Sequence, residues 1–206
     1  GGGQQSAVSG VLGARVTVLD LSEGQLQRDQ EAARHYGYEV QTEAGDMRDL
    51  ARFADKSFAV VWQGYSLNFV PDARVVFAEV ERVLRPGGTY RFTCANPFAA
   101  GLTERDWDGR GYALRRPYVE GAEISYPDQE WVYRHSETAD APIAPPKEYR
   151  HGLGTLVNGL IAHNLALRHL SEHVDTNPDP NALPGTWDHF VSVMPPWFSF
   201  WAVREG

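Results

Sequence analysis

Only one cysteine, Cys94, occurs in 206 residues, and it sits in an apolar run. No disulfide framework can staple such a chain, and a reducing compartment, the cytoplasm, is the expected location. Long apolar runs are missing too. None approaches the roughly 20 residues that cross a bilayer, so a soluble protein with no membrane partner is expected. Net positive charge is also lacking, at −8 with a pI near 5.3. Without a basic footprint for phosphate backbones, nucleic acid is not an expected partner. The one locally basic stretch, Arg105, Arg110, Arg115 and Arg116, is interleaved with Glu104, Asp106 and Asp108 and reads as a solvated loop. His163, His169 and His173 have no spacing that demands a metal, and no metal is expected.

What is present is the balance of an ordinary globular domain, 42% hydrophobic and 22% charged. The chain opens on Gly1, Gly2 and Gly3, followed by Gln4, Gln5 and Ser6. Glycines at a strand-to-helix turn let bare backbone approach a ligand, and an acid about 20 residues on can hold ribose hydroxyls. Asp20 occupies that position, closing the β-branched run Val16 to Leu19. A helix is expected from Ser22, an N-cap, to Gly37, with Leu26, Ala33 and Tyr36 on one face. A second strand, Tyr38 to Thr42, again leads to a glycine and an acid, Gly45 and Asp46. A third, Phe58 to Trp62, is followed by a polar loop holding Gln63, Gly64, Tyr65, Ser66 and Asn68. From Asp72 a helix carries Val76, Val80, Val83 and Leu84, and Pro86, Gly87 and Gly88 break it before the strand Tyr90 to Cys94.

Strand and helix alternate, which predicts an α/β fold: a Rossmann-like, doubly wound, mostly parallel sheet with ligands beyond the carboxyl ends of its strands. Residues 1–97 form the expected cofactor-binding half. Over residues 98–150 the periodicity fails and aromatics, Gly and Pro accumulate, as in an insertion or lid that shapes a substrate site. Residues 151–206 complete the same domain with a helix at Leu153 to Ile161 and two antiparallel strands, Ala166 to Val174 and Phe198 to Val203.

The segments Gly1 to Ser6, Val16 to Ser22, Ala44-Gly45-Asp46-Met47 and Val83-Leu84-Arg85-Pro86-Gly87-Gly88 together resemble the class I S-adenosylmethionine-dependent methyltransferases. Phe58 to Gln63 with Leu67, Asn68, Val70, Pro71 and Asp72 is similar to that family's fourth-strand motif. The resemblance implies that Gly1 and Gly3 approach the methionine and ribose part of S-adenosylmethionine and that Asp20 holds the ribose. It implies that Leu21 and Met47 sandwich the adenine, Asp46 accepts from its amine, and Gln63 lines the methionine end. S-adenosylhomocysteine would be the product. Three positions depart from the pattern. The family's first strand has no counterpart, because the sequence starts at Gly1, and residues upstream are expected in the native protein. Ala59 stands where the family often has an acid, and Gln5 where it often has a glycine.

Methyl transfer from a sulfonium needs alignment and exclusion of water more than covalent help. Candidates for contact with a small-molecule acceptor are Tyr65, Asn68, Trp107, Tyr112, His151 and Asn158. Trp187, Trp197 and Trp201 read as core and edge packing. Two other readings share the glycine loop and the acid. One is a methyltransferase-like scaffold subunit that binds the cofactor without catalysis. The other is a nicotinamide-dependent oxidoreductase, against which stands the lack of a tyrosine and lysine at helical spacing, Lys147 and Tyr149 being too close.

Overall fold

The computed structural model describes residues 3–125, 147–172, 176 and 178–206. Gly1 and residues 126–146 of the expected insertion lie outside the described residues, as do positions 173–174 of the late strand. The chain divides into two compact units, Gly1–Ala54 and Asp55–Gly206.

The first unit runs α1 (Gln4–Val11), β1 (Val16–Asp20), α2 (Glu23–Tyr36) and β2 (Val40–Ala44). α2 is bounded by the residues expected to bound it. Ser22 Oγ accepts from Gln25 N at its start, and Gly37 ends it in the left-handed region at φ 73°. β1 and β2 are parallel, in register from Val16 opposite Val40 to Asp20 opposite Ala44. The run Val16 to Leu19 is apolar enough for a strand covered on both faces, yet every residue of β1 is half-buried. Among the described residues β1 pairs with β2 alone.

The second unit contains β3 (Phe58–Gly64), α3 (Ala73–Val83), β4 (Leu84–Ala95), β5 (Glu123–Ile124), β6 (Glu148–Tyr149), α4 (Leu153–Ala162), β7 (Leu165–Ser171), α5 (Trp187–Val193) and β8 (Trp197–Arg204). Its sheet has the order β3-β4-β8-β7. β3 and β4 are parallel, and β8 runs antiparallel to both β4 and β7. One face of this sheet is the core. Tyr90, Phe92 and Phe200 stack across β4 and β8 with centroids 4.9 and 4.7 Å apart, all fully buried. α3 covers them with Val76, Phe77, Val80 and Val83, and α4 adds Leu156 and Leu160. Burying each such side chain contributes about 1.5–3 kcal/mol before the entropy of ordering is subtracted. On the opposite face Trp62, Arg91, Trp201 and His169 stand in one rung across four strands, with the Arg91 guanidinium 4.3 Å from the Trp62 ring.

Because β8 is antiparallel, its first residue, Trp197, sits opposite Ala95, the last of β4. The carboxyl ends of β3 and β4 therefore share an edge with the start of β8. The 3-10 turn Ser66–Phe69 follows β3 at that edge. The short ladder of β5 and β6 belongs to the insertion, with Glu123 opposite Tyr149.

Candidate active site

In the first unit the parallel register brings two loops to one end. Gly45 N donates to the Asp20 carbonyl at 3.0 Å, so the loops that follow β1 and β2 begin side by side. Asp20 Oδ1 accepts from Ser22 N at 2.8 Å, which fixes its carboxylate at the strand's end. Leu21, next to it, is 71% exposed, an apolar surface left uncovered at this edge. Met47 is half-buried. Asp46 is engaged by Arg48: Oδ1 accepts from its backbone N and Nε at 2.8 and 3.0 Å, and Oδ2 from Nη2 at 2.5 Å. These contacts hold the Asp46 carboxyl below the usual carboxylate range, the Arg48 side chain being the main cause. The pair is largely exposed, with Arg48 at 49%, so it is worth at most about 1 kcal/mol and can yield to another donor.

Gly3 precedes α1 with φ 81°, in the left-handed region, and a Cβ there would lie 3.0 Å from Ala32 Cβ and 3.2 Å from the Arg28 carbonyl. Glycine is required both by the turn and by its approach to α2. Behind it Ser6 Oγ donates to the buried Asp29 carboxylate and lies 3.0 Å from Tyr38 OH. No local pattern marks this Ser6–Asp29–Tyr38 knot, since its members are 23 and 32 positions apart.

In the second unit Gln63 is 9% exposed and accepts from Tyr90 OH at 2.5 Å. Tyr65, just past β3, takes the left-handed conformation at φ 60°. A non-glycine residue held there costs on the order of 1–3 kcal/mol and persists only where its surroundings fix it. Tyr65 OH donates to Glu148 Oε2 at 3.1 Å, and Glu148 is buried. Asn68 is also buried: its Oδ1 accepts from Ala95 N at 2.8 Å, and its Nδ2 donates to the Tyr149 carbonyl at 3.2 Å. Tyr65 and Asn68 thus tie the end of β3 to β6 of the insertion.

His151 is 2% exposed, with Nε2 donating to the Leu67 carbonyl at 3.1 Å and Nδ1 3.5 Å from Glu120 Oε1. Both ring nitrogens face protein groups. Glu120 in turn accepts from Gly152 N and Thr155 Oγ1, each at 2.7 Å, at the start of α4. Asn158 lies exposed on α4, the helix that packs with α3.

Trp107 and Tyr112 bridge each other and close on α5. Tyr112 OH lies 3.0 Å from His189 Nδ1, and the Trp107 and His189 rings are 4.9 Å apart. Burial pushes the Tyr112 phenol above its ordinary value, so it remains protonated at neutral pH. These rings continue a chain of aromatic contacts from Tyr65 to Trp197 at 6.3 Å, Trp197 to Trp187 at 5.7 Å, Trp187 to Phe190 at 5.9 Å and Phe190 to Tyr112 at 5.1 Å. The outcome is a wall of π faces at the carboxyl end of β3 and β4. Sequence reading missed Glu120, Glu148, His189 and Phe190; only proximity to the candidates His151, Tyr65 and Tyr112 could have suggested them.

Residues 1–92 match a family model described as a methyltransferase domain. An uncharacterized methyltransferase of Bacillus subtilis is 41% identical over 161 residues, 78% of this chain and 61% of that protein. A glycine/sarcosine/dimethylglycine N-methyltransferase of Actinopolyspora halophila is 35% identical over 107 residues, 51% of this chain and 18% of that protein. The chain thus spans less than two thirds of the length of either relative. Among solved structures, an S-adenosylmethionine-dependent methyltransferase from Mesorhizobium loti superposes with a TM-score of 0.64 at 24% identity, over 92% of this chain and 80% of that one. One from Methanosarcina mazei gives 0.67 at 17% identity, over 100% of this chain and 89% of that one. At those identities the superpositions establish the fold, an α/β methyltransferase fold of the Rossmann-like kind.

Proposed function

We propose that the chain is a class I S-adenosylmethionine-dependent methyltransferase and that it transfers a methyl group to a small-molecule acceptor by in-line displacement. The observation that carries the cofactor half of this reading is the junction of Asp20 with Gly45. It sets an anchored carboxylate, the uncovered Leu21 and the Asp46-Met47 loop at one end of a parallel strand pair. Those groups fit the cofactor's parts. A carboxylate accepts two ribose hydroxyls, Leu21 and Met47 offer apolar and thioether surface to a purine, and the exposed Asp46–Arg48 pair can share its acceptor with an exocyclic amine. Gly3 keeps the backbone bare at the start of α1. When bound, S-adenosylmethionine supplies a methyl on a sulfonium, whose departure as a neutral thioether needs no covalent help from the protein.

The second unit's part is to hold the acceptor. The aromatic wall from Tyr65 to Trp107 excludes water and orients an apolar body, which is how most small-ligand sites work. Should the acceptor atom carry a proton, the Tyr65 hydroxyl, hydrogen-bonded to the buried Glu148 carboxylate, would receive it and pass one on. In this reading His151 and Asn68 position the insertion, and Asn158 has no part. The test is Asp20→Ala. Loss of charge-assisted hydrogen bonds to two hydroxyls should weaken S-adenosylhomocysteine binding by about 10- to 100-fold with the circular dichroism unchanged. Unchanged affinity would remove Asp20 from the site.

A further inference from the structure

The insertion contains a cleft of about 180 Å³ whose lining combines apolar surface with three arginines. The arginine at its floor is unusual. Arg150 is 4% exposed, and its backbone is fixed by Arg150 N to the Ala122 carbonyl at 2.9 Å and Gly121 N to the Arg150 carbonyl at 2.8 Å, which prolongs the β5–β6 ladder. Its guanidinium donates through Nη2 to the Ala100 carbonyl at 3.1 Å and lies over the Tyr118 ring at 5.4 Å, while Nε has no partner among the described residues. Tyr118 stacks on Phe98 with centroids 5.2 Å apart.

Among the described residues no carboxylate pairs with this buried cation, a costly state for a charge out of water. The acids near it in sequence are committed: Glu148 accepts from Tyr65 and Glu120 from Gly152 and Thr155. Asp106, the one acid on the lining among the described residues, accepts from Thr103 N at 2.8 Å. Arg115 and Arg116 stand exposed at the same cleft. Arg116 donates to the Ser125 carbonyl at 3.2 Å, and Arg115 lies 3.8 Å from the exposed Asp108. The interleaved charge that reads in the sequence as a solvated loop therefore folds with two of its arginines beside a third that is buried.

We propose that this cleft binds the anionic group of a small organic molecule, a carboxylate or phosphate monoester carried on an apolar body. The guanidinium fork of Arg150 matches either anion, Arg115 and Arg116 add charge at the opening, and Phe98 and Tyr118 take the apolar part. Ala100, which holds the Arg150 guanidinium, packs with Ala95, Ile124 and Tyr65, so the cleft adjoins the aromatic wall. Assigning the anion to the methyl acceptor itself rests on the proposed transfer reaction; the binding of the anion does not.

The experiment titrates the chain with 3-phenylpropionate, phenyl phosphate and the neutral 3-phenylpropanamide, followed by nuclear magnetic resonance. At least one anion should bind, with the amide at least about tenfold weaker. R150M should weaken that anion by about 10- to 100-fold, and R115Q/R116Q, at exposed positions that leave the core intact, by about tenfold. The stronger of the two anions identifies the acid or the ester as the natural group. Binding of the amide as tightly as the anions, binding of neither anion, or wild-type affinity in both variants with native circular dichroism would overturn the proposal. S-adenosylhomocysteine is titrated in the same samples. Anion binding without it leaves the cleft standing and removes the transfer reaction, whereas the reverse result removes the cleft alone.

Discussion

Replacing Gly159 by alanine sets two effects of known sign against each other. Alanine is a better helix former than glycine by about 0.8–1 kcal/mol, so propensity alone predicts a more stable α4. Space predicts the opposite. A Cβ at Gly159 would lie 2.8 and 2.9 Å from two carbons of the Phe77 ring, inside any normal contact. Phe77 is fully buried and held by Tyr90 and Phe92, with centroids at 6.2 and 5.6 Å, so the ring cannot swing aside. Overpacking of that kind costs about 1–3 kcal/mol, and the net expectation is a loss of about 1 kcal/mol. Gly154 lies in the same helix with nothing within 4 Å of its would-be Cβ. Gly154→Ala keeps the propensity gain without the clash and should stabilise by about 0.5 kcal/mol. Urea denaturation of both variants, compared at equal slope, reads the difference. A Gly159→Ala protein as stable as Gly154→Ala would refute the close α3–α4 approach.

At alkaline pH, Tyr90 and Cys94, both fully buried on β4, should limit stability. Burial raises both above their ordinary values of 10.0 and 9.0. The folded state therefore keeps protons that the unfolded chain gives up. The contribution is fully present below pH 9 and declines as pH rises from there toward the folded values, by up to about 1.4 kcal/mol per pH unit for each group. Urea titrations at stepped pH should show that decline, and iodoacetamide should label Cys94 only in denaturant. Asn68→Ala leaves Ala95 N and the Tyr149 carbonyl without their partner and should cost about 2–4 kcal/mol in the same assay. A cost under about 0.5 kcal/mol would mean water replaces the amide.

Local signals made the periodic elements legible. Ser22 and Gly37 bound α2 because a hydroxyl cap and a left-handed glycine act within a few residues. Some strand ends were legible for a similar reason: Asp20 closes β1 and Gly45 follows β2, although β2 spans Val40–Ala44 rather than the expected Tyr38 to Thr42, and β3 runs on past Trp62 to Gly64. β4 differed. Pro86, Gly87 and Gly88 read as a break before the strand, yet β4 begins at Leu84 opposite Phe58, and residues 85–88 bulge out before Thr89 meets Val60. Gly87, at φ 74°, permits the bulge. α5 was hidden because Val191 and Val193 favour strands, and only the Thr186 cap on His189 N marks its start. Among the candidate residues, Asp20 in the first unit and Tyr65 and Asn68 in the second could be chosen from the motifs they follow. Glu148 and Arg150 could not, since what makes them notable is burial beside Tyr65 and Tyr118, 83 and 32 positions away.

The most direct test of the central claim is calorimetric titration with S-adenosylmethionine, S-adenosylhomocysteine and NAD in parallel. The predicted result is binding of the first two at micromolar strength, weakened by about 10- to 100-fold in Asp20→Ala, with no heat from NAD. Binding of none of the three, or of NAD alone, would contradict it.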